Sequence, residues 1–151
     1  SASTINITNP SFNATSIKGN QTIRLNASVT STGTSLDKVW ATLLYPNTSS
    51  INYSMINVNG YSLVLNETSQ TGQYNITYIY ANTTDGTFNY TSYLNPMWLN
   101  FTVSLKGLLN MTWKTPITND SHTKNTFKLY QFNITCSVAN CGDVNITLDP
   151  K

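Results

Sequence analysis

Thr22-Ile23-Arg24-Leu25-Asn26-Ala27-Ser28-Val29-Thr30 sets Ile23, Leu25, Ala27 and Val29 at alternate positions, with Arg24, Asn26 and Ser28 between them. Successive side chains of a strand point to opposite faces, so this stretch reads as a half-buried β-strand with one dry face and one wet face. The alternation returns at Tyr61, Leu63 and Leu65 against Ser62, Val64 and Asn66, and again over Tyr74 to Ala81 and Leu99 to Val103. Turn clusters separate these runs at Lys18-Gly19-Asn20, Thr32-Gly33-Thr34, Pro46-Asn47-Thr48, Asn59-Gly60, Thr71-Gly72 and Asp85-Gly86. No stretch sustains apolar residues at helical spacing behind a cap, so helices are not expected.

The spacing predicts strands near Phe12 to Ile17, Thr22 to Thr30, Lys38 to Tyr45, Ile51 to Asn57, Tyr61 to Asn66, Gln73 to Ala81, and Thr87 to Val103 with a break at Asn95-Pro96. Seven strands in residues 10–104, about 95 residues, predict an all-β immunoglobulin-like antiparallel β-sandwich. A second, incomplete β-module follows over residues 105–151, with strands expected near Leu108 to Trp113, Thr126 to Cys136 and Asp143 to Leu148. Three strands leave an apolar face uncovered, which is hard to stabilise alone in water.

Residues 1–9 are expected to stand outside the first module, because Thr4-Ile5-Asn6-Ile7-Thr8 resembles Leu99-Asn100-Phe101-Thr102-Val103, the strand that closes it. Two arrangements account for this: a cut from a longer tandem array, or end-to-end strand exchange. In the second, Thr4 to Thr8 of one subunit completes the C-terminal module of the next, and head-to-tail contacts between identical subunits propagate into a filament.

Fifteen Asn-x-Ser/Thr sequons begin at Asn6, Asn13, Asn20, Asn26, Asn47, Asn52, Asn66, Asn75, Asn82, Asn89, Asn100, Asn110, Asn119, Asn133 and Asn145. With 21 Asn and 40 Ser plus Thr, composition alone would yield about 5 or 6. The excess points to an exported chain carrying covalent N-glycans. In ten sequons the middle residue is apolar or aromatic, as in Asn75-Ile76-Thr77 and Asn100-Phe101-Thr102. On a strand this turns Asn and Thr to one face and the apolar residue to the other, giving a sugar-bearing outside and a dry inside.

Charged residues make up 9% of the chain and the formal net charge is +2, too weak and scattered for a nucleic-acid footprint. A hydrophobic fraction of 39% with 17 aromatics is enough for a compact core. No run approaches the roughly 18 apolar residues of a membrane span, and no signal peptide is present. Ser1 is therefore expected to follow a processing event or a cut, with any anchor outside this chain. In an oxidising exterior, Cys136 and Cys141, with four residues between them, are expected to form a local disulfide. Zinc fits poorly, since the single histidine, His122, is distant in sequence and no second cysteine pair exists.

The carboxylates Asp37, Glu67, Asp85, Asp120, Asp143 and Asp149 are dispersed, mostly at turns. No catalytic constellation, metal site or cofactor is expected. Calcium at Asp85-Gly86 or Asp143 lacks the usual clustering of oxygen ligands. A different class of function, a carbohydrate-binding or adhesin module, would use Trp40, Trp98 and Trp113 with the nine tyrosines as a stacking platform.

The run Tyr74-Asn75-Ile76-Thr77-Tyr78-Ile79-Tyr80-Ala81-Asn82-Thr83-Thr84-Asp85-Gly86 resembles the late strand and turn of immunoglobulin-like modules in archaeal surface proteins. Phe132-Asn133-Ile134-Thr135-Cys136, continuing through Cys141-Gly142-Asp143-Val144-Asn145-Ile146-Thr147-Leu148-Asp149-Pro150, is similar to a cysteine-paired β-module of archaeal envelope proteins. The resemblance implies a secreted, glycosylated, non-enzymatic component of a surface layer, stalk, adhesin or filament.

Overall fold

The computed structural model describes residues 2–94, 97–115, 121 and 123–147. The chain divides into two units, Ser1–Ser104 and Leu105–Lys151. Unit 1 contains β1 (Thr4–Phe12), β2 (Ser16–Lys18), β3 (Ile23–Thr32), β4 (Leu36–Leu44), β5 (Ser50–Ser54), β6 (Ile56–Asn57), β7 (Tyr61–Leu65), β8 (Gly72–Thr83), β9 (Phe88–Ser92) and β10 (Leu99–Ser104). Unit 2 contains β11 (Leu108–Thr115) and β12 (Gln131–Ser137). The fold is all-β, with no helix among the described residues.

Unit 1 is a two-sheet sandwich. The first sheet has the order β1-β3-β7-β6 and the second β2-β10-β8-β4-β5. All pairings are antiparallel except β2 with β10. β9 and β10 share one side of β8: Phe88–Ser92 pairs along Tyr78–Asn82, and Leu99–Val103 along Gly72–Ile76. They are two segments along one side of β8, separated by the segment that contains Asn95 and Pro96, which lie outside the described residues, and β10 carries β2 on its other side.

The alternation read from Thr22 to Thr30 becomes the burial pattern of β3, in which Ile23, Leu25, Ala27 and Val29 are buried and Arg24, Asn26, Ser28 and Thr30 exposed. Their counterparts from the second sheet include Val39, Ala41, Leu43, Ile76, Ile79, Ala81 and Val103, so both sheets contribute to one core. A chain of aromatic contacts runs through it. Phe12 meets Phe101 edge-on at 4.9 Å between ring centroids, Phe101 stacks on Tyr74 at 4.9 Å, and Tyr74 meets Tyr45 edge-on at 5.3 Å. A phenol buried here needs a partner for its hydroxyl. Tyr74 donates to the Gln70 carbonyl at 3.0 Å, and Tyr45 shares a hydrogen bond with Tyr53. Burial pushes the Tyr74 phenol up; burial together with the Tyr53 hydroxyl does the same for Tyr45.

The N-terminal segment corrects an expectation. Thr4 to Thr8 is neither unpartnered nor outside the first module: Thr4, Ile5, Asn6, Ile7 and Thr8 pair with Thr32, Ser31, Thr30, Val29 and Ser28 of β3. Ile5 and Ile7 are only 8% and 9% exposed within the core. β1 continues past a register shift between Thr8 and Ser11, where Asn9 has φ 51°, a left-handed conformation that Asn tolerates. The unit therefore includes residues 1–9, and Thr4 to Thr8 is occupied as an intramolecular strand.

The segment expected as one strand, Ile51 to Asn57, divides between the sheets, since β5 pairs with β4 and β6 with β7. Met55 lies between them, buried, with its N–H donating to the Val39 carbonyl at 2.8 Å. The expected strand from Phe12 to Ile17 is likewise divided, Phe12 ending β1 and Ser16–Lys18 forming β2.

In unit 2, β11 and β12 form a two-stranded antiparallel ladder. Leu109, Met111 and Trp113 stand opposite Cys136, Ile134 and Phe132, whereas Asn110 and Thr112 stand opposite Thr135 and Asn133. Period-two pleating thus gives the ladder an apolar face and a face carrying two sequons. Leu109, Met111 and Trp113 are exposed. Cys136 and Cys141 are joined by a disulfide, with Cα atoms 6.0 Å apart. Asp143 to Thr147, expected as a third strand, is not in a strand, and Leu148 lies outside the described residues. Alternation at Val144 and Ile146 did not suffice without a paired backbone to hold it.

Candidate functional site

Fourteen sequon asparagines fall in the described residues, and none is buried: Asn75, Asn82 and Asn100 are half-buried, and the other eleven are exposed. Asn119 lies outside the described residues, as do Asp120, His122 and Asp149. The middle residues Ile7, Ala27, Ile76, Thr83 and Phe101 are buried, as pleat geometry requires. Hydrogen bonds orient several of the amides. Asn13 Oδ1 accepts from the Arg24 N–H at 2.8 Å, Asn52 Oδ1 from the Thr42 hydroxyl at 2.7 Å, and Asn47 Oδ1 from the Ser49 N–H and hydroxyl at 3.0 and 2.6 Å. These bonds use the carbonyl oxygen and not Nδ2, the nitrogen that would carry a glycan.

Two sequons depart from this arrangement. β4 and β8 lose register between Thr42 and Leu43, which pair with Tyr78 and Ile76, leaving Thr77 as an extra residue. Such a bulge turns a side chain out of the normal alternation. Thr77 is consequently buried with its neighbour Ile76, while Asn75 Oδ1 is buried with no hydrogen-bond partner among the described residues. Thr68, the hydroxyl residue of the Asn66 sequon, is also buried and donates to the Gln21 carbonyl at 2.5 Å.

An aromatic stripe, not anticipated from the sequence as a group, crosses the outer face of the second sheet. Trp40 of β4, Tyr80 of β8 and Tyr90 of β9 occupy one cross-strand row, with Ser54 of β5 continuing it. Trp40 stacks on Tyr80 at 5.4 Å with ring planes 12° apart, and Tyr80 lies 5.7 Å from Tyr90. Tyr78 adds contacts of 5.5 Å to Tyr80 and 5.9 Å to Tyr90, and Phe88 stacks on Tyr90 at 6.0 Å. The signal was present at Tyr78-Ile79-Tyr80, where the outward positions carry rings instead of polar groups. Of the other indoles considered as a platform, Trp98 is exposed beside β10, and Trp113 belongs to unit 2, where it meets Phe132 edge-on at 5.8 Å.

A polar cluster lies where β1 begins. Asp85 Oδ2 accepts from the Ser3 hydroxyl at 2.5 Å, and Oδ1 accepts from the Thr83 hydroxyl at 2.5 Å and the Thr87 N–H at 3.1 Å. The Ser3, Thr83 and Thr87 donors hold this carboxyl well below the usual carboxylate range. Asp37, elsewhere, accepts from Asn82 Nδ2 at 3.3 Å. Among the described residues no group of three or more His, Cys, Asp or Glu is placed to hold a metal ion. Surface depressions of about 310 and 330 Å³ are lined by residues including Arg24, Asn26 and Val64, with no carboxylate in either lining.

No family model, curated protein or solved structure matches this chain. The sites must therefore be read from their own geometry, and that geometry consists of outward amides, an outward aromatic stripe and an apolar ladder face. No helix among the described residues is long and apolar enough to cross a membrane.

Proposed function

We propose that this chain is a non-enzymatic, heavily N-glycosylated extracellular structural protein, a subunit or segment of a cell-surface filament or envelope assembly. The observation carrying this reading is the placement of the sequons: fourteen described asparagines lie outside the core, across both sheets and on one face of the β11–β12 ladder. A surface solubilised by sugar needs few charges, which accords with a chain that is 9% charged. The disulfide accords with an oxidising exterior.

We infer an immunoglobulin-like module of the archaeal surface type, and topology and one side chain support the immunoglobulin-like part of that reading. The order β1-β3-β7-β6 over β4-β8-β10 corresponds to the ABED and CFG sheets of that fold. Tyr74, near the start of β8, bonds back to the carbonyl of Gln70, as the corner tyrosine of such domains does. Ile76 stands two residues later, at the position of the second core cysteine in antibody domains.

Assembly is assigned to unit 2, since Thr4 to Thr8 is already paired within unit 1. A two-stranded ladder is marginal alone and is stabilised by added strands or a covering surface. The exposed apolar row of Leu109, Met111 and Trp113 is the surface such an addition would cover. Native material should show glycans by intact mass, above the 16.7 kDa of the bare chain, and polymers or a lattice by electron microscopy. A native mass equal to the bare chain would remove the reading. The second reading, a carbohydrate-binding or adhesin module of a tandem-repeat surface protein, is favoured by the aromatic stripe. Titration of enzymatically deglycosylated protein with soluble oligosaccharides tests it.

A further inference from the structure

We propose that the Trp40–Tyr80–Tyr90 stripe is the seat of the N-glycan carried by Asn82, whose first sugar rings lie over the stripe and cover it. The inference rests on the proposed glycosylation and adds a specific partner for one surface. Five aromatic rings gathered on an outward sheet face are unusual without something to cover them. Phe88 and Tyr90 are 58% and 50% exposed, and Trp40, Tyr78 and Tyr80 are half-buried. The rings pack against one another along the row, and the apolar C–H groups of a sugar can cover the surface they leave outward while its hydroxyls remain in water.

Register selects the occupant. Asn82 lies two residues beyond Tyr80 on the same face of β8, about 7 Å along the strand. Its own cross-strand row is Lys38–Asn82–Phe88, adjacent to the row of Trp40, Tyr80 and Tyr90. Asn82 Oδ1 accepts from the Lys38 N–H at 2.9 Å and Nδ2 donates to Asp37 Oδ2 at 3.3 Å, so the amide is held from both ends. An amide nitrogen has two hydrogens. Bonding a sugar replaces one and leaves the other for Asp37, so the anchoring survives modification. The sequon threonine, Thr84, is exposed.

Other sequons are less well placed. Asn52 on β5 is diagonal to Trp40 at the end of the row, about 7–8 Å away, but two strands from the central Tyr80, and its Oδ1 is turned to the Thr42 hydroxyl. Asn89 sits between Phe88 and Tyr90 on the opposite face of the pleat, its Nδ2 donating to the Ile5 carbonyl at 2.9 Å.

The test combines glycopeptide mapping with a two-variant thermal cycle on glycosylated protein. Thr84→Ala removes the sequon but keeps both Asn82 hydrogen bonds. Tyr80→Val removes the central ring but keeps a residue suited to a strand. Asn82 should be occupied, and Thr84→Ala should lower the unit 1 Tm by about 4 °C in the wild-type background. In the Tyr80→Val background the same change should leave Tm unmoved. Equal Tm losses in both backgrounds would overturn the stacking, and so would an unoccupied Asn82 among occupied sequons. Neither result would touch the proposed function. Absence of glycan at every sequon would overturn both together. Enzymatically deglycosylated Thr84→Ala and Tyr80→Val proteins, melted in parallel, separate the loss of sugar contact from any intrinsic effect of the substitutions.

Discussion

The Ser3 hydroxyl donates to Asp85 Oδ2 at 2.5 Å, tying the residue before β1 to the turn between β8 and β9. Ser3 also shares a hydrogen bond of 2.7 Å with Thr34. Gly33 beside it has φ 91°, and a Cβ added there would stand 3.0 Å from Ser3 Oγ. The three segments meet closely enough that the start of the chain is fastened to unit 1 by polar contacts as well as by the β1–β3 ladder.

The pH dependence of this clasp has a definite sign. The folded-state pKa of Asp85 is lowered by its donors, so its contribution is fully present above the unfolded carboxylate value of about 3.9 and is lost as pH falls through the lower folded value. Thermal melts of wild type and Asp85→Asn should differ by a constant amount from pH 7 to about pH 5, then converge in strong acid. A gap that widens on acidification would contradict the assignment.

Deletion of residues 1–9 should destabilise unit 1. It removes Ile5 and Ile7 from the core along with most of the β1–β3 ladder. Full burial of an aliphatic side chain is worth about 1.5–3 kcal/mol, so the two isoleucines alone account for roughly 3–6 kcal/mol. The urea midpoint of the truncated protein should fall well below that of the intact chain. An unchanged midpoint would show that the strand adds nothing to its own module.

Glycan occupancy should follow hydroxyl exposure if modification meets the folded chain. Asn13 with Thr15, Asn26 with Ser28, and Asn52 with Ser54 present both members to solvent. Thr68 and Thr77 are buried, so glycopeptide mapping should find Asn66 and Asn75 among the least occupied sites. Full occupancy at Asn75 would place modification before formation of the β4–β8 bulge.

Within the core, Phe101→Ala should cost about 3–5 kcal/mol, because the ring is fully buried between Phe12 and Tyr74. Tyr74→Phe should cost about 1 kcal/mol through loss of the bond to the Gln70 carbonyl. Equilibrium unfolding measures both, and equal costs would mean that the corner hydroxyl matters as much as the packing of an entire ring.

The residues that could be read from sequence were those whose burial alternates locally. Ile23 to Val29 declared a strand because a single pleat explains the whole pattern. Thr4 to Thr8 declared a strand too, but its partner is set by tertiary pairing, and its likeness to Leu99 to Val103 suggested the wrong neighbour. The change of sheet at Met55 was hidden for the same reason: Ile51 to Asn57 has continuous strand propensity, and only the Val39 carbonyl and the second sheet divide it. Period two alone puts Thr77 on the wet face, and the β4–β8 bulge turns it into the core. The aromatic stripe needs three strands in register before its rings become one surface.

Unit 2 offers the sharpest steric test. Gly107 immediately precedes β11, and Leu108 pairs with Ser137 next to the disulfide. A Cβ at Gly107 would lie 2.6 Å from Cys141 Sγ and 3.0 Å from the Ala139 carbonyl oxygen. Carbon and sulfur cannot approach so closely, and the disulfide prevents Cys141 from swinging aside freely, so Gly107→Ala must displace either the start of β11 or the Cys136–Cys141 loop. Closing that short loop is itself worth about 2 kcal/mol in the chain-entropy description. Gly107→Ala should therefore raise amide hydrogen exchange along Leu108–Thr115 and Gln131–Ser137 while leaving protection in β3 and β8 unchanged. Reduction of the disulfide should relieve part of the clash, so the exchange difference between variant and wild type should shrink under reducing conditions. A variant with wild-type exchange in both ladders would mean that Gly107 does not pack against the disulfide.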